Sequence, residues 1–244
     1  MGAAMNDGRP EVSVVIPVYN EALILEESVT ALCAALRERG WAFEIILAEN
    51  GSRDETPRIG EDLGRRYPEV SIFRHPEPNY GGALRQGILR ASGRFVICEE
   101  IDLCDAEFHG RAIELLRGGG VDMVVGSKAM RGADDTRPLG RRVATRVYNG
   151  MLRVAVGFRG TDTHGLKAFV RETVVPVVEA CVVEHDVFAS ELVVRAHRRG
   201  LRVLEIPVHV REKRAPSVRL LNRVPKVIRH VARLMVAIHG RGDG

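Results

Sequence analysis

A mostly parallel, doubly wound α/β sheet with helices on both faces is the fold this sequence predicts, on three observations. Continuous apolar runs of strand length recur, as in strands covered on both faces. Most are followed by a polar turn and a segment with helical spacing, the order that produces parallel strands with crossover helices. The apolar run 95–98 leads straight into Glu99, Glu100, Asp102 and Asp105, at the kind of strand end where such sheets bind ligands.

Taken in order, the run 12–18 is the first strand, with Pro17 near its end, where a missing N–H does little harm. Tyr19, Asn20 and Glu21 form the turn, and residues 23–39 a helix that Gly40 stops. A second strand covers 43–48, and its turn, residues 49–54, is rich in types that tolerate positive φ. A helix over 56–67 and a short strand over 70–73 follow, and Asn79-Tyr80-Gly81-Gly82 opens a helix that runs to Ala91. The acidic strand and turn come next, then a fifth strand at 121–125. The first turn carries no G-x-G-x-x-G, which argues against a nicotinamide enzyme. In the second half, 143–156 and 187–198 read as helices, and 166–170 and 202–207 as strands. Val224, Val227, Ile228, Val231, Leu234, Met235 and Ile238 fall on one stripe of a terminal helix with Lys226, Arg229 and Arg233 off it. Such a helix either packs on the chain's own second half or a partner, or lies in a membrane interface.

At 244 residues, 45% hydrophobic and 28% charged, the composition is that of a globular protein able to bury a full core. The net charge is only +4, with the excess gathered in residues 128–146 and from Arg211 onward; nothing suggests a nucleic-acid partner. Cys33, Cys98, Cys104 and Cys181 lack metal-site spacing. No apolar run reaches the roughly 18 residues of a membrane span, and residues 1–10 lack the pattern of a signal peptide. The expectation is a reduced, cytoplasmic setting with a disordered segment 1–10.

Glu100 and Asp102 stand one residue apart and can point the same way from an extended or kinked backbone. Such a pair repels itself unless a cation lies between its members. A hard ion, Mg²⁺ or Mn²⁺, suits two carboxylates and takes further ligands from water and substrate phosphates. The plain alternative is a solvated acidic turn.

Several motifs in order then resemble the inverting glycosyltransferases of family two, with the GT-A fold, and most of all the dolichol-phosphate mannose synthases and bacterial polyprenyl-phosphate glycosyltransferases. They are Val14-Val-Ile-Pro-Val-Tyr-Asn-Glu21, the turn Glu49-Asn-Gly-Ser-Arg-Asp54, Asn79-Tyr-Gly-Gly82 with Ala91-Ser-Gly93, Glu100-Ile-Asp-Leu103, Gly165-Leu-Lys-Ala-Phe169 and Glu205-Ile-Pro207. The resemblance implies one GT-A domain over 11–215, with a nucleotide-binding half at 11–126 and an acceptor half at 127–215, followed by a basic amphipathic helix in 216–244. It assigns Pro17, Tyr19 and Glu21 to the nucleotide base and ribose, Glu49 and Asn50 to the acidic positions beside them, and Arg85 to the helix facing the diphosphate. Glu100 and Asp102 would hold Mg²⁺ or Mn²⁺ against the donor diphosphate. Glu100 and Asn50 stand where the family has Asp, and Cys104 where it commonly has Gln or Ser.

The same resemblance implies that Lys128, Arg141 and Thr145, with Arg142 and Arg146 nearby and Arg211, Lys213 and Arg214 later, grip the phosphate of a lipid acceptor. That acceptor would require a peripheral contact with the inner face of a membrane. A phosphate acceptor needs little help from a base, whereas a soluble hydroxyl acceptor needs one. Asp186 and Glu191 are the candidates, with N-capping the plain alternative for Asp186. Asp162 would face donor or metal, and His164 takes a position often filled by Ser or Asn. A nucleotide-sugar-binding protein that no longer catalyses is the remaining reading.

Overall fold

The computed structural model describes residues 9–136, 138–183, 187–210 and 224–240. Most of the expected disordered opening, Asp186, Arg211 with the basic residues after it, and residues 216–223 fall outside these. Of Arg141 only the backbone is described.

Strands β1 (Val12–Val18), β2 (Phe43–Glu49), β3 (Val70–Arg74), β4 (Phe95–Cys98), β5 (Met123–Ser127), β7 (Lys167–Val170) and β8 (Val203–Pro207) form one seven-stranded sheet in the order β3-β2-β1-β4-β7-β5-β8. All neighbours are parallel except β7, which runs antiparallel to both β4 and β5. The reversal has a consequence for function. It brings the residues preceding β7 to the edge where β1, β2, β4 and β5 end. Gly165 makes the entry possible: a Cβ there would overlap the Gly126 carbonyl oxygen, while the Gly126 N–H bonds the Leu166 carbonyl at 2.8 Å. Two further residues each, β6 (Asp134–Asp135) and β9 (His209–Val210), pair in parallel beside the main sheet.

The alternation of side chains along each strand splits the core. Val14, Ile16, Ile45, Leu47 and Ile97 point to the face covered by α1 (Leu25–Glu38), α2 (Thr56–Arg66) and α4 (Ala106–Arg117). Val15, Ile46, Val96, Met123 and Val125 point to the other face. There α3 (Tyr80–Arg90), α5 (Leu139–Val156), α6 (Arg171–Ala180), α7 (Phe188–Arg198) and α8 (Val224–Gly240) cover them. Each fully buried Leu, Ile or Phe contributes about 1.5–3 kcal/mol by leaving water, so these two clusters supply the main driving force. Helices α4 and α6 go beyond the sequence expectation, and α5 starts four residues earlier than the spacing suggested.

Helix α8 buries Val231, Leu234 and Ile238 against α5 and α7, and Arg195 and Arg198 donate to the Ala237 and Ile238 carbonyls at 3.0 Å each. Met235 departs from the expected stripe and is 43% exposed beside Val236. The reason is geometric: Met235 lies at the edge of the stripe, about 40° beyond Val231 on the side away from Leu234 and Ile238. No helix among the described residues is long and apolar enough to cross a membrane.

Candidate active site

The carboxyl end of the sheet brings together the turns after β1, β2 and β4, the loop before β7 and the loop after β5. On one side, the turns after β1 and β2 are tied together. The Asn20 N–H donates to Ser52 Oγ at 2.9 Å and the Arg53 N–H to Asn20 Oδ1 at 2.9 Å. Glu21 N–H reaches Thr56 Oγ1 at 2.7 Å, and Ala22 N–H reaches Asp54 Oδ2 at 3.2 Å. Asn20 adopts φ 55° to make this turn, a conformation that Asn tolerates better than most residues. Tyr19 is 42% exposed on the rim, and Pro17 and Glu21 are half-buried.

Glu49 and Asn50 sit deeper. Glu49 Oε1 accepts the Ser52 N–H at 2.5 Å, and its other oxygen faces Arg74 Nε at 3.6 Å. Asn50 Oδ1 accepts the Asn79 N–H at 2.5 Å, and Asn79 in turn caps α3 through Gly82 N–H at 2.9 Å. An acceptor oxygen is all this bond requires, so Asn serves there as Asp would. Arg85 corrects the expectation that it faces a diphosphate. Its guanidinium donates to the Val178 and Glu179 carbonyls at 3.2 Å each, tying α3 to the end of α6.

The acidic turn follows β4. Glu100 and Asp102 are both partly buried. The turn closes through Leu103 and Cys104 N–H bonds to the Glu100 carbonyl at 2.9 and 3.3 Å. Cys104 takes φ 41°, and Asp105 caps α4 by accepting the Phe108 N–H at 2.9 Å. Burial pushes the Glu100 carboxyl up. The Lys128 charge opposes that rise, Asp102 and Glu99 add to it, and Lys167 opposes it.

Across from this turn stand the residues that the reversed β7 delivers. Lys167 is 3% exposed, donates to the Gly165 carbonyl at 2.7 Å, and is pushed down by burial while Cys98, Asp162 and Glu100 pull it back. Asp162 is fully buried and accepts from the His164 N–H at 2.9 Å and the Lys128 N–H at 3.3 Å. Glu205 of β8 holds this loop by accepting the Thr161 N–H at 2.7 Å and its hydroxyl at 2.5 Å. His164 stands edge-on to Tyr148, ring centres 4.9 Å apart. No site role was expected of Lys167. Its type inside an apolar strand was the available signal, since a buried Lys needs a partner.

The loop after β5 and the start of α5 form a small pocket lined by Lys128, Ala129, Met130, Ala133, Arg142, Thr145 and Arg146. Lys128, Thr145, Arg142 and Arg146 therefore come together. Among the described residues its polar lining is three cations and a hydroxyl, with no carboxylate, and Lys128 links it to Glu100 through its charge.

Glu191 corrects the expectation of a general base. It is fully buried, accepts the Val182 and Val183 N–H groups at 3.0 and 2.6 Å, and pairs with Arg195 Nε at 2.8 Å. With both oxygens engaged inside the protein, it pins the segment before α7.

No three His, Cys, Asp or Glu side chains among the described residues converge as a protein metal cage. Two carboxylates in one turn, with burial already disfavouring the charge on Glu100, still fit a hard divalent ion, one that keeps waters and takes substrate phosphates as further ligands.

Comparisons with known proteins agree with this geometry. The model of "Glycosyl transferase family 2" matches residues 13–175. Glycosyltransferase AglD of Haloferax volcanii is 33% identical over 227 residues, covering 91% of this chain and 36% of that protein. Dolichyl-phosphate beta-glucosyltransferase ALG5A of Trichomonas vaginalis is 26% identical over 212 residues, covering 82% of this chain and 65% of that protein. The chain thus spans about a third of the first relative and under two thirds of the second. Among solved structures, glucosyl-3-phosphoglycerate synthase from Mycobacterium tuberculosis, in complex with Mn²⁺, UDP and glucosyl-3-phosphoglycerate, superposes with a TM-score of 0.67. It is 22% identical, and the match covers 98% of this chain and 83% of that one; at that identity the likeness speaks to the fold. With the family model matched over more than half of its length, the chain belongs to glycosyl transferase family 2 and carries its GT-A fold.

Proposed function

We propose that this chain transfers a hexose, with inversion, from a nucleoside-diphosphate sugar to the phosphate of a polyprenyl-phosphate-type acceptor. The observation that carries this reading is the pocket of Lys128, Arg142, Thr145 and Arg146, carboxylate-free among the described residues, beside the Glu100–Asp102 turn. Arginine matches phosphate oxygens through paired N–H donors, and lysine acts as a point charge. A phosphate monoester is mostly ionised near neutral pH, so its oxygen can attack the sugar's anomeric carbon without a base. The bond from that carbon to the diphosphate breaks as the new one forms, and the nucleoside diphosphate leaves. Glu100 and Asp102 would hold a divalent cation there, which supplies charge neutralisation to the leaving diphosphate. Tyr19, Glu21 and Pro17 would frame the nucleotide on the rim, and Lys128 would orient the acceptor phosphate towards the sugar.

Helix α5 supports a lipid carrier for that phosphate. Leu139, Val143, Val147 and Val154 are 70%, 47%, 58% and 90% exposed. At 3.6 residues per turn they fall within about 80° of one another. Exposed Arg142, Arg146 and Arg153 form a row along one flank, and α5 carries no acidic residue. An apolar stripe flanked by arginines suits the surface of an anionic bilayer. The names of the dolichyl-phosphate glucosyltransferases among the relatives point the same way.

The test is transfer of radiolabelled sugar from UDP-glucose and GDP-mannose, with Mn²⁺, to polyprenyl phosphate in anionic vesicles and to a panel of free sugars and alcohols. Labelled lipid phosphate with the panel left unlabelled is expected. Transfer to hydroxyl acceptors alone would refute the assignment and turn attention to Asp186 as base. Donor binding without turnover on any acceptor would mean that the site no longer catalyses.

A further inference from the structure

Directly behind the acidic turn lies a pair of polar residues that the proposed chemistry does not use. Glu99 and His109 are 1% and 0% exposed. His109 Nε2 stands 2.5 Å from Glu99 Oε2. The other Glu99 oxygen accepts the Glu100 N–H at 2.8 Å, and the Glu99 N–H bonds the Val15 carbonyl at 3.0 Å. His109 Nδ1 is buried with no hydrogen-bond partner among the described residues. A proton on Nδ1 would be a buried, unsatisfied donor, so the geometry places the shared hydrogen bond on Nε2, against Glu99 Oε2.

That arrangement is costly unless it does something. A buried carboxylate with two donors is tolerated, yet an apolar pair of the same volume would serve the core as well or better. What the pair does is tie three elements together. His109 is anchored on α4, whose first turn Asp105 caps and whose His109 N–H bonds the Asp105 carbonyl at 3.1 Å. Glu99 is anchored on β4. The Glu100 amide hangs from Glu99, so the backbone of the Glu100–Asp102 turn is fixed from behind. The Glu99 charge also acts on Glu100 from within the core.

We infer that Glu99 and His109 form a positioning pair that holds the Glu100–Asp102 turn in place from behind and so strengthens its grip on a divalent cation. This rests on the reading that Glu100 and Asp102 hold such an ion. Outer partners of this kind typically contribute about 10–100-fold to metal affinity.

The test is calorimetric titration of Mn²⁺, alone and with UDP or GDP, into wild-type protein, the double variant Glu99→Met/His109→Phe, and Asp102→Ala, with a melting curve for each. The double variant should melt no lower than wild type and bind Mn²⁺ at least about tenfold more weakly. A double variant that melts normally and holds Mn²⁺ within about twofold of wild type overturns the inference, provided that Asp102→Ala loses the ion. If Asp102→Ala also binds Mn²⁺ normally, the metal reading itself fails, and the positioning role with it. Should the apolar pair not fold, Glu99→Gln decides. It keeps the volume but offers one acceptor oxygen for the two donors, so one of the two ties is lost; Mn²⁺ affinity should again fall about tenfold, and an unchanged affinity overturns the inference.

Discussion

Across the β1 and β2 turns, side chains and backbone bond from one loop to the other at Asn20, Glu21, Ala22 and Arg53. The acceptor side is built otherwise. Helix α5 begins without a side-chain cap, and Lys128, Arg142 and Arg146 face one pocket. The turns proposed to take the nucleotide are cross-bonded before any ligand arrives. The side proposed for the acceptor gathers three cations with no carboxylate among the described lining residues. Substitutions in those turns should therefore disturb fold and donor together, and substitutions in the basic pocket should touch the acceptor alone.

The largest effect is expected at the junction of the two. Asp102→Ala should cost at least about a hundredfold in turnover, with the melting temperature held. An unchanged rate would remove the cation from the mechanism. Next comes Lys128→Ala. Losing one charged hydrogen bond to the acceptor phosphate should raise the acceptor KM about tenfold and leave the donor KM alone. Equal changes in both constants would mean that the two sides are not separable. Glu100→Asp should be milder, a few-fold in rate, because a shorter carboxylate in the same turn still offers two oxygens. A loss as large as that of Asp102→Ala would mean that the turn is built around the longer side chain.

The smallest effect concerns stability alone. Burial holds the His197 imidazole below its ordinary range, with Glu205 opposing, and its Nε2 has no partner among the described residues. The folded state thus binds this proton less readily than the unfolded chain. Stability is fully present above the unfolded value of about 6.5 and is lost as pH falls below it. His197→Leu should flatten the melting temperature between pH 7 and pH 5, and a profile identical to wild type would assign that slope to other groups.

The sheet was legible because β1, β2, β4 and β5 are runs of apolar residues between unambiguous turns, and Asn79 before two glycines marks a helix start. The direction of β7 was not legible, since a short apolar strand reads alike in either sense. Its reversal is what brings Lys167 and Asp162 to the site. Within the site, chain position placed Glu100 and Asp102 in the turn after β4, because turns at strand ends have few places to go. It failed for Arg85 and Glu191, both on helices. Helical spacing tells which way a side chain leaves the helix, whereas its partner depends on what packs there: the end of α6 for Arg85, the segment before α7 for Glu191. The Glu99–His109 pair escaped for the same reason, as ten residues of turn and helix separate its members.

A crystal of this protein grown with Mn²⁺ and the nucleoside diphosphate it binds, measured at a wavelength where manganese scatters anomalously, puts the site to the test. The expected map has one manganese peak in contact with carboxylate oxygens of Glu100 and Asp102 and with the diphosphate. A diphosphate bound at this edge with its manganese elsewhere, and both carboxylates turned away from it, would contradict that expectation.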